Sequence, residues 1–176
     1  MNGIIIKRIL QIIDFSPLLI THSYSHAVET STRSFDDWGL RCSTAASPIC
    51  EISQSMVNKK SMKKILDLFV TVGEKKNSYR ARVIVPLGAW LQQGVTLSVG
   101  DRRVRSSGYL YCLPVGCVAD LTLSSDMITA MKKANDGFII IADLKQQQIN
   151  FKISLKGFTK AFNGMRDKIS ALTSKK

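Results

Sequence analysis

Histidine is almost absent from this chain: His22 and His26 are the only two. Both precede residue 28, in a stretch expected to be removed, so the remaining domain lacks a Ser-His-Asp or Cys-His relay and any histidine metal site. Acidic residues are scarce too, with 13 Asp and Glu against 25 Lys and Arg. Asp36-Asp37 is the only adjacent carboxylate pair, and successive strand residues point to opposite faces, so the two do not converge on one substrate atom. Aromatic residues make up 7%, mostly at core-type positions, which leaves no stacking platform and argues against nucleic acid as a partner. No P-loop, G-x-G-x-x-G or calcium loop occurs. Neither an enzyme nor a cofactor is expected.

What the chain does have is basic charge, a hydrophobic content of 45% and four cysteines in 176 residues. That length and composition support one ordinary domain with a real core. The net charge of +12 predicts attraction to anionic surfaces, and the expected partners are a protein or an anionic glycan or lipid surface. Near the start, Lys7 and Arg8 precede the apolar run from Ile9 to Ile20, and Ser25 and Ala27 supply the small-x-small pattern of a cleavage site. Export with cleavage after Ala27 is the expectation. As a signal anchor the run is too short and too interrupted to span a bilayer, so no transmembrane span is expected after cleavage. Removing residues 1–27 takes two cations and one anion with it, so the basic character belongs to the domain.

In an exported chain, four cysteines predict disulfides. Cys42 and Cys50 bracket a loop containing Pro48, and Cys112 and Cys117 bracket a turn in which Pro114 fixes φ and Gly116 tolerates φ > 0. Each pair spans a turn-like segment, so of the three possible connectivities the two local bridges are expected. A four-cysteine zinc site would need C-x7-C and C-x4-C spacings, the first outside the usual gap. A redox-active pair would want C-x-x-C and a depressed thiol pKa. Structural bridges are the better reading of Cys42, Cys50, Cys112 and Cys117.

In chain order, residues 28–34 read as a polar linker, and the folded part starts at Phe35 with a strand carrying a buried Trp38. Ile49–Gln54 and the alternating Lys64–Val72, with Leu66, Leu68, Val70 and Val72 on one face, read as further strands. Tyr79, Ala81, Val83 and Val85 against Arg80, Arg82 and Ile84 make another, stopped by Pro86. Val95–Val99, Gly100-Asp101 and Arg102–Arg105 form a hairpin with glycine where a type II′ turn wants it. The Cys112–Cys117 segment reads as a stapled hairpin. Ser124, Ser125 and Asp126 offer an N-cap to a helix over Met127–Ala134, and Phe138–Ala142 and Ile149–Leu155 read as closing strands. Gly157 breaks the second of these, and Thr159 is expected to cap a last amphipathic helix carrying Ala161, Phe162, Met165, Ile169 and Leu172. Many short strands with turns about every ten residues favour an antiparallel β-sandwich.

Basic clusters are the remaining candidate site: Lys59, Lys60, Lys63, Lys64; Lys75, Lys76; Arg80, Arg82; Arg102, Arg103, Arg105; Lys132, Lys133; and Lys175, Lys176. Charges in turns are solvated by default. Arg102, Arg103 and Arg105 stand out as an anion- or partner-binding set, because guanidinium forks suit carboxylate, sulfate or phosphate and Tyr109 is close enough in sequence to stack.

An ordered set of pieces resembles a known family. Asp37-Trp38 with Arg41-Cys42, Cys50 followed by Gln54, Pro86-Leu87-Gly88 then Leu91 and Gly94, Cys112 with Gly116-Cys117 and Ala119, and Ser154-Leu155-Lys156-Gly157-Phe158 with Ala161 are similar to the invasion-associated locus B family of exported bacterial proteins. The match runs from Phe35 to the C-terminal helix. The resemblance implies an immunoglobulin-like antiparallel β-sandwich in the envelope or outside the cell of an alphaproteobacterium, and an association with host-cell invasion in a family without an established biochemical activity. The expected organisation is a signal peptide over 1–27, a linker over 28–34, one domain over 35–172 and a basic tail over 173–176. The function expected is non-enzymatic binding of an envelope or host-surface partner by an exported, periplasmic or secreted protein. The alternative is a periplasmic structural or envelope-maintenance protein held to anionic lipid by its charge.

Overall fold

The computed structural model describes residues 30–43, 49–73, 77–106 and 108–174. The expected signal segment, most of the Cys42–Cys50 loop, Lys75, Lys76 and the last two lysines lie outside them. Among the described residues the chain forms β1 (Thr30–Phe35), β2 (Trp38–Ser43), β3 (Cys50–Val57), β4 (Lys64–Val72), β5 (Tyr79–Val85), β6 (Thr96–Val99), β7 (Arg102–Arg105), β8 (Tyr111–Leu113), β9 (Gly116–Leu123), α1 (Ser125–Lys133), β10 (Asp136–Ala142), β11 (Gln148–Ser154) and α2 (Phe158–Thr173). Every pairing is antiparallel. The strands make a seven-stranded sheet in the order β1-β2-β3-β4-β5-β9-β8 and a four-stranded sheet in the order β11-β10-β6-β7. This is the antiparallel β-sandwich with two helices that the strand pattern predicts.

Period-two alternation sets which side chains go inside. Leu40, Ile52, Val70, Ala81 and Leu121 form one inward row across the large sheet, and Leu68, Val83 and Ala119 form part of the next. They meet Leu97, Val99, Ile139, Ile141 and Ile153 of the small sheet in one core. The helix α2 completes the second layer by burying Phe158, Ala161, Phe162 and Met165. Trp38 is buried beside it, its ring edge-on to Phe158 at 5.0 Å, and Phe162 meets Tyr79 at 5.0 Å. Each such aromatic side chain removes enough apolar surface from water to contribute about 2–3 kcal/mol.

Both disulfides form as expected, Cys42–Cys50 and Cys112–Cys117. Each joins residues directly opposite one another on neighbouring strands, so each pins a register as well as a loop. The two bridges sit at opposite ends of the large sheet. At the second, Gly116 takes φ +142°, and a Cβ there would collide with the Val85 carbonyl.

Three local expectations are corrected. Thr30–Ser34, within the stretch read as a linker, is not a linker but most of an edge strand paired with β2. Its side chains are exposed throughout, so no hydrophobic alternation marks it. The cap of α2 is Gly157 in the left-handed conformation, with no side-chain hydrogen bond. Thr159 instead donates its hydroxyl to the Lys132 carbonyl at 3.2 Å, tying α2 to the end of α1. Val72 is exposed at its strand end despite lying on the inward face of β4. The N-cap of α1 is Ser124, whose Oγ accepts from the Met127 amide at 3.3 Å.

Candidate binding surface

The inner face of the large sheet is covered by the small sheet and α2, and its outer face carries the alternate residues of the same strands. The register aligns Arg41, Glu51, Thr71 and Arg80 in one outward row. Ser53, Phe69, Arg82 and Asp120 form the next, and Asp67, Ile84, Val118 and Tyr111 the third. The result is an apolar strip of Phe69, Ile84, Val118 and Tyr111 with arginines along one side. It floors a groove of about 550 Å³ that Ile49 and Leu113 extend at its margins.

Ion pairs hold two of these arginines flat against the sheet. Arg82 grips Asp120 with both ends of its fork, Nε to Oδ1 at 2.8 Å and Nη2 to Oδ2 at 3.0 Å. That hydrogen bonding raises the Arg82 pKa further, against a smaller opposing effect of burial. Arg41 pairs with Glu51, its Nε and Nη2 both donating to Oε1. Planar, fixed guanidiniums beside half-buried Phe69 and Ile84 and exposed Tyr111 are the composition of a protein-binding face. The hairpin at its edge adds Leu110, Tyr111 and Leu113, all exposed.

The sequence-derived anion set does not converge on one site. Arg102 faces α1 and pairs with Asp126 at 3.3 Å. Arg105 donates through Nε and Nη2 to the Gln93 carbonyl, holding the β5–β6 loop. Arg103 points the other way from Arg102, into a shallow depression of about 400 Å³ on the outer face of the small sheet. Tyr109 is packed against the core. Its hydroxyl is buried with no hydrogen-bond partner among the described residues, and burial pushes its pKa up to about 12. It is not placed to stack on a ligand held by the three arginines.

A larger cavity, about 1000 Å³, opens where β3 meets β10 and β11. Several of its polar wall residues are already engaged. Gln54 and Asp37 bond to Ser154 across the gap, and Lys152 pairs with Asp136 at 2.8 Å. Among the described residues no group of three His, Cys, Asp or Glu side chains could hold a metal ion. No described helix is long and apolar enough to cross a membrane.

Of the outward residues, Arg80 and Arg82 were visible in the sequence as the polar phase of an alternating strand. Phe69 and Tyr111 were not separable from core residues, because an aromatic side chain suits either face of a strand.

Comparison with known proteins places the chain. The family model described as Invasion associated locus B (IalB) protein matches residues 38–166. The chain belongs to the IalB family. An invasion protein B homolog of Brucella abortus (strain 2308) is 28% identical over 148 residues, covering 82% of each chain, and the homolog from Brucella abortus biovar 1 (strain 9-941) matches to the same extent. The crystal structure of invasion associated protein b from Bartonella henselae superposes with a TM-score of 0.70 at 19% identity, covering 82% of this chain and 99% of that one. At that identity the likeness concerns the fold. IalB proteins are exported, and the family is named for invasion rather than for an enzymatic activity.

Proposed function

We propose that this IalB-family protein is exported with both disulfides formed and acts by binding an envelope or host-surface partner, not by catalysis. The observation that supports this reading is the uncovered outer face of the seven-stranded sheet, where the apolar strip of Phe69, Ile84 and Tyr111 runs alongside Arg41, Arg80 and Arg82. A protein segment carrying apolar side chains and a carboxylate would bury the strip and meet the guanidiniums. The Cys112–Cys117 disulfide keeps the edge hairpin in register with that face.

The test compares the purified chain with Tyr111→Ser/Arg80→Glu and with Arg102→Gln/Arg103→Gln in binding to cultured host cells. The first variant should lose at least tenfold in cell-bound protein, because truncating an exposed aromatic together with a charge reversal removes the kind of contact that dominates interfaces. The second should bind like the parent. Equal binding by all three, with melting unchanged, would remove the sheet face from consideration.

A further inference from the structure

We propose that one end of the sandwich docks on an anionic lipid bilayer, inserting aliphatic side chains from four loops. This inference is independent of the sheet-face reading, which concerns a different surface. The antiparallel register brings the β3–β4 turn, the exit of β5 and the β8–β9 turn to the same end of the large sheet. The β10–β11 turn joins them through the Ala89–Asp143 bridge and the Trp90 amide, which donates to the Ala142 carbonyl at 2.8 Å. Each of these loops presents a large aliphatic side chain to solvent: Met62 is 76% exposed, Leu87 57%, Leu91 51%, Val115 75% and Leu144 70%. Exposed aliphatics scattered singly need no explanation, but their concentration on the loops of one end does.

The loops are built to hold these side chains outward. Asn58 Oδ1 accepts from the Lys60 and Ser61 amides at 2.9 and 3.1 Å, and Met62 adopts φ +54°, unusual for a long side chain. Asp143 Oδ1 accepts from the Lys145 and Gln147 amides, each at 2.8 Å, fixing the turn that carries Leu144. The Cys112–Cys117 bridge closes the hairpin whose tip is Val115.

Charge identifies the occupant. Met62 sits inside Lys59-Lys60-Ser61-Met62-Lys63-Lys64, and Leu144 precedes Lys145. Two of the four loops thus set lysines beside their apolar tips and two carry apolar tips without charge, a combination that matches the layering of an anionic membrane, with acyl chains beneath a plane of negative headgroups. A protein partner would not require cationic residues beside successive aliphatic tips. The one carboxylate of the β10–β11 turn, Asp143, is turned into its own backbone. Edge-strand and sheet-face surfaces stay free in this pose.

The test uses the full oxidised chain carrying Leu144→Trp, Met62→Trp or, at the opposite end, Val72→Trp, with the parent spectrum subtracted. The probe is phosphatidylcholine vesicles with and without phosphatidylglycerol. Docking predicts a blue shift, and quenching by brominated acyl chains, at positions 144 and 62 only, on the anionic vesicles only. A reporter inside the loop keeps insertion distinct from any attachment through the N-terminal apolar run. In co-sedimentation, Lys60→Gln/Lys63→Gln should bind roughly 25-fold more weakly, at about fivefold per lysine. Met62→Ser/Leu144→Ser should lose at least tenfold with its charge intact. No shift at either loop position, an equal shift at position 72, or vesicle binding that salt abolishes without any shift would overturn the proposal. A shift that grows with protein concentration in the absence of vesicles would also overturn it, assigning this end to a second copy of the chain.

Discussion

Gln54 and Ser154, a hundred residues apart, close on each other across the gap between the two sheets. The Ser154 amide donates to Gln54 Oε1 at 3.0 Å, and Gln54 Nε2 donates to the Ser154 carbonyl at 3.0 Å. The same Nε2 reaches the Asp37 carbonyl at 3.1 Å, and the Trp38 indole N–H donates to the Ser154 carbonyl at 2.9 Å. Gln54 therefore does for the two sheets what a ladder hydrogen bond does for two strands. Replacing it by leucine leaves the Ser154 amide unpaired in a half-buried site, at a cost of about 2–3 kcal/mol. Urea unfolding should show a lower midpoint at unchanged slope, and an unchanged midpoint would mean that water replaces the amide without loss.

Gly157 caps α2 at φ +86°, and any Cβ would run into the Phe35 carbonyl. Backbone, unlike a flexible side chain, has nowhere to give. Gly157→Ala should cost more than about 3 kcal/mol, combining a left-handed non-glycine residue with a steric clash. Gly88→Ala provides the comparison, since Gly88 also has positive φ but open space around it. It should cost about 1–2 kcal/mol in thermal or urea unfolding.

Tyr109 links stability to alkaline pH. Its folded pKa is raised to about 12 from an ordinary 10.0 by burial, so above pH 10 the unfolded chain releases this proton while the folded chain keeps it. Its contribution is complete below pH 10 and is lost as pH rises towards 12. Tyr109→Phe should abolish that part of the alkaline slope. Near neutral pH it should be neutral or stabilising by up to about 1 kcal/mol, because the hydroxyl it removes is buried with no partner among the described residues. A pH series of unfolding midpoints on both proteins measures the difference.

The bridges close loops of sequence separation 8 and 5, short enough that constraint of the unfolded chain contributes about 2–2.5 kcal/mol each. Being at opposite ends of the large sheet, they should act additively. Serine pairs replacing Cys42 and Cys50, Cys112 and Cys117, or all four should lower the melting temperature in steps, and the four-site variant should fall by the sum. A sum exceeded by much would show that one bridge supports the other's register.

Several features were legible because their causes are local. The alternation of β5, the Ser124 cap, the glycine of the β6–β7 turn at φ +54° and both short-range disulfides depend on residues within a few positions of one another. Thr30–Ser34 was not legible, since an edge-strand segment with both faces exposed needs no pattern and takes its conformation from hydrogen bonds to β2. The arginine set failed to converge for a related reason. Arg102 and Arg103 are adjacent in sequence, and on a strand adjacency guarantees opposite directions. Arg105 was diverted to a carbonyl on the preceding loop that no spacing reveals.

The sequence by itself determined the class of fold, the cysteine pairing and the basic character, because strand periodicity, short loop closure and charge are properties of neighbouring residues. The tertiary structure alone decided which sheet face is covered, that Gln54 and Ser154 join the sheets, and that Met62, Leu87, Leu91, Val115 and Leu144 share one end. Those facts depend on how strands distant in sequence are ordered within the sheets, and one strand's alternation is compatible with many such orders.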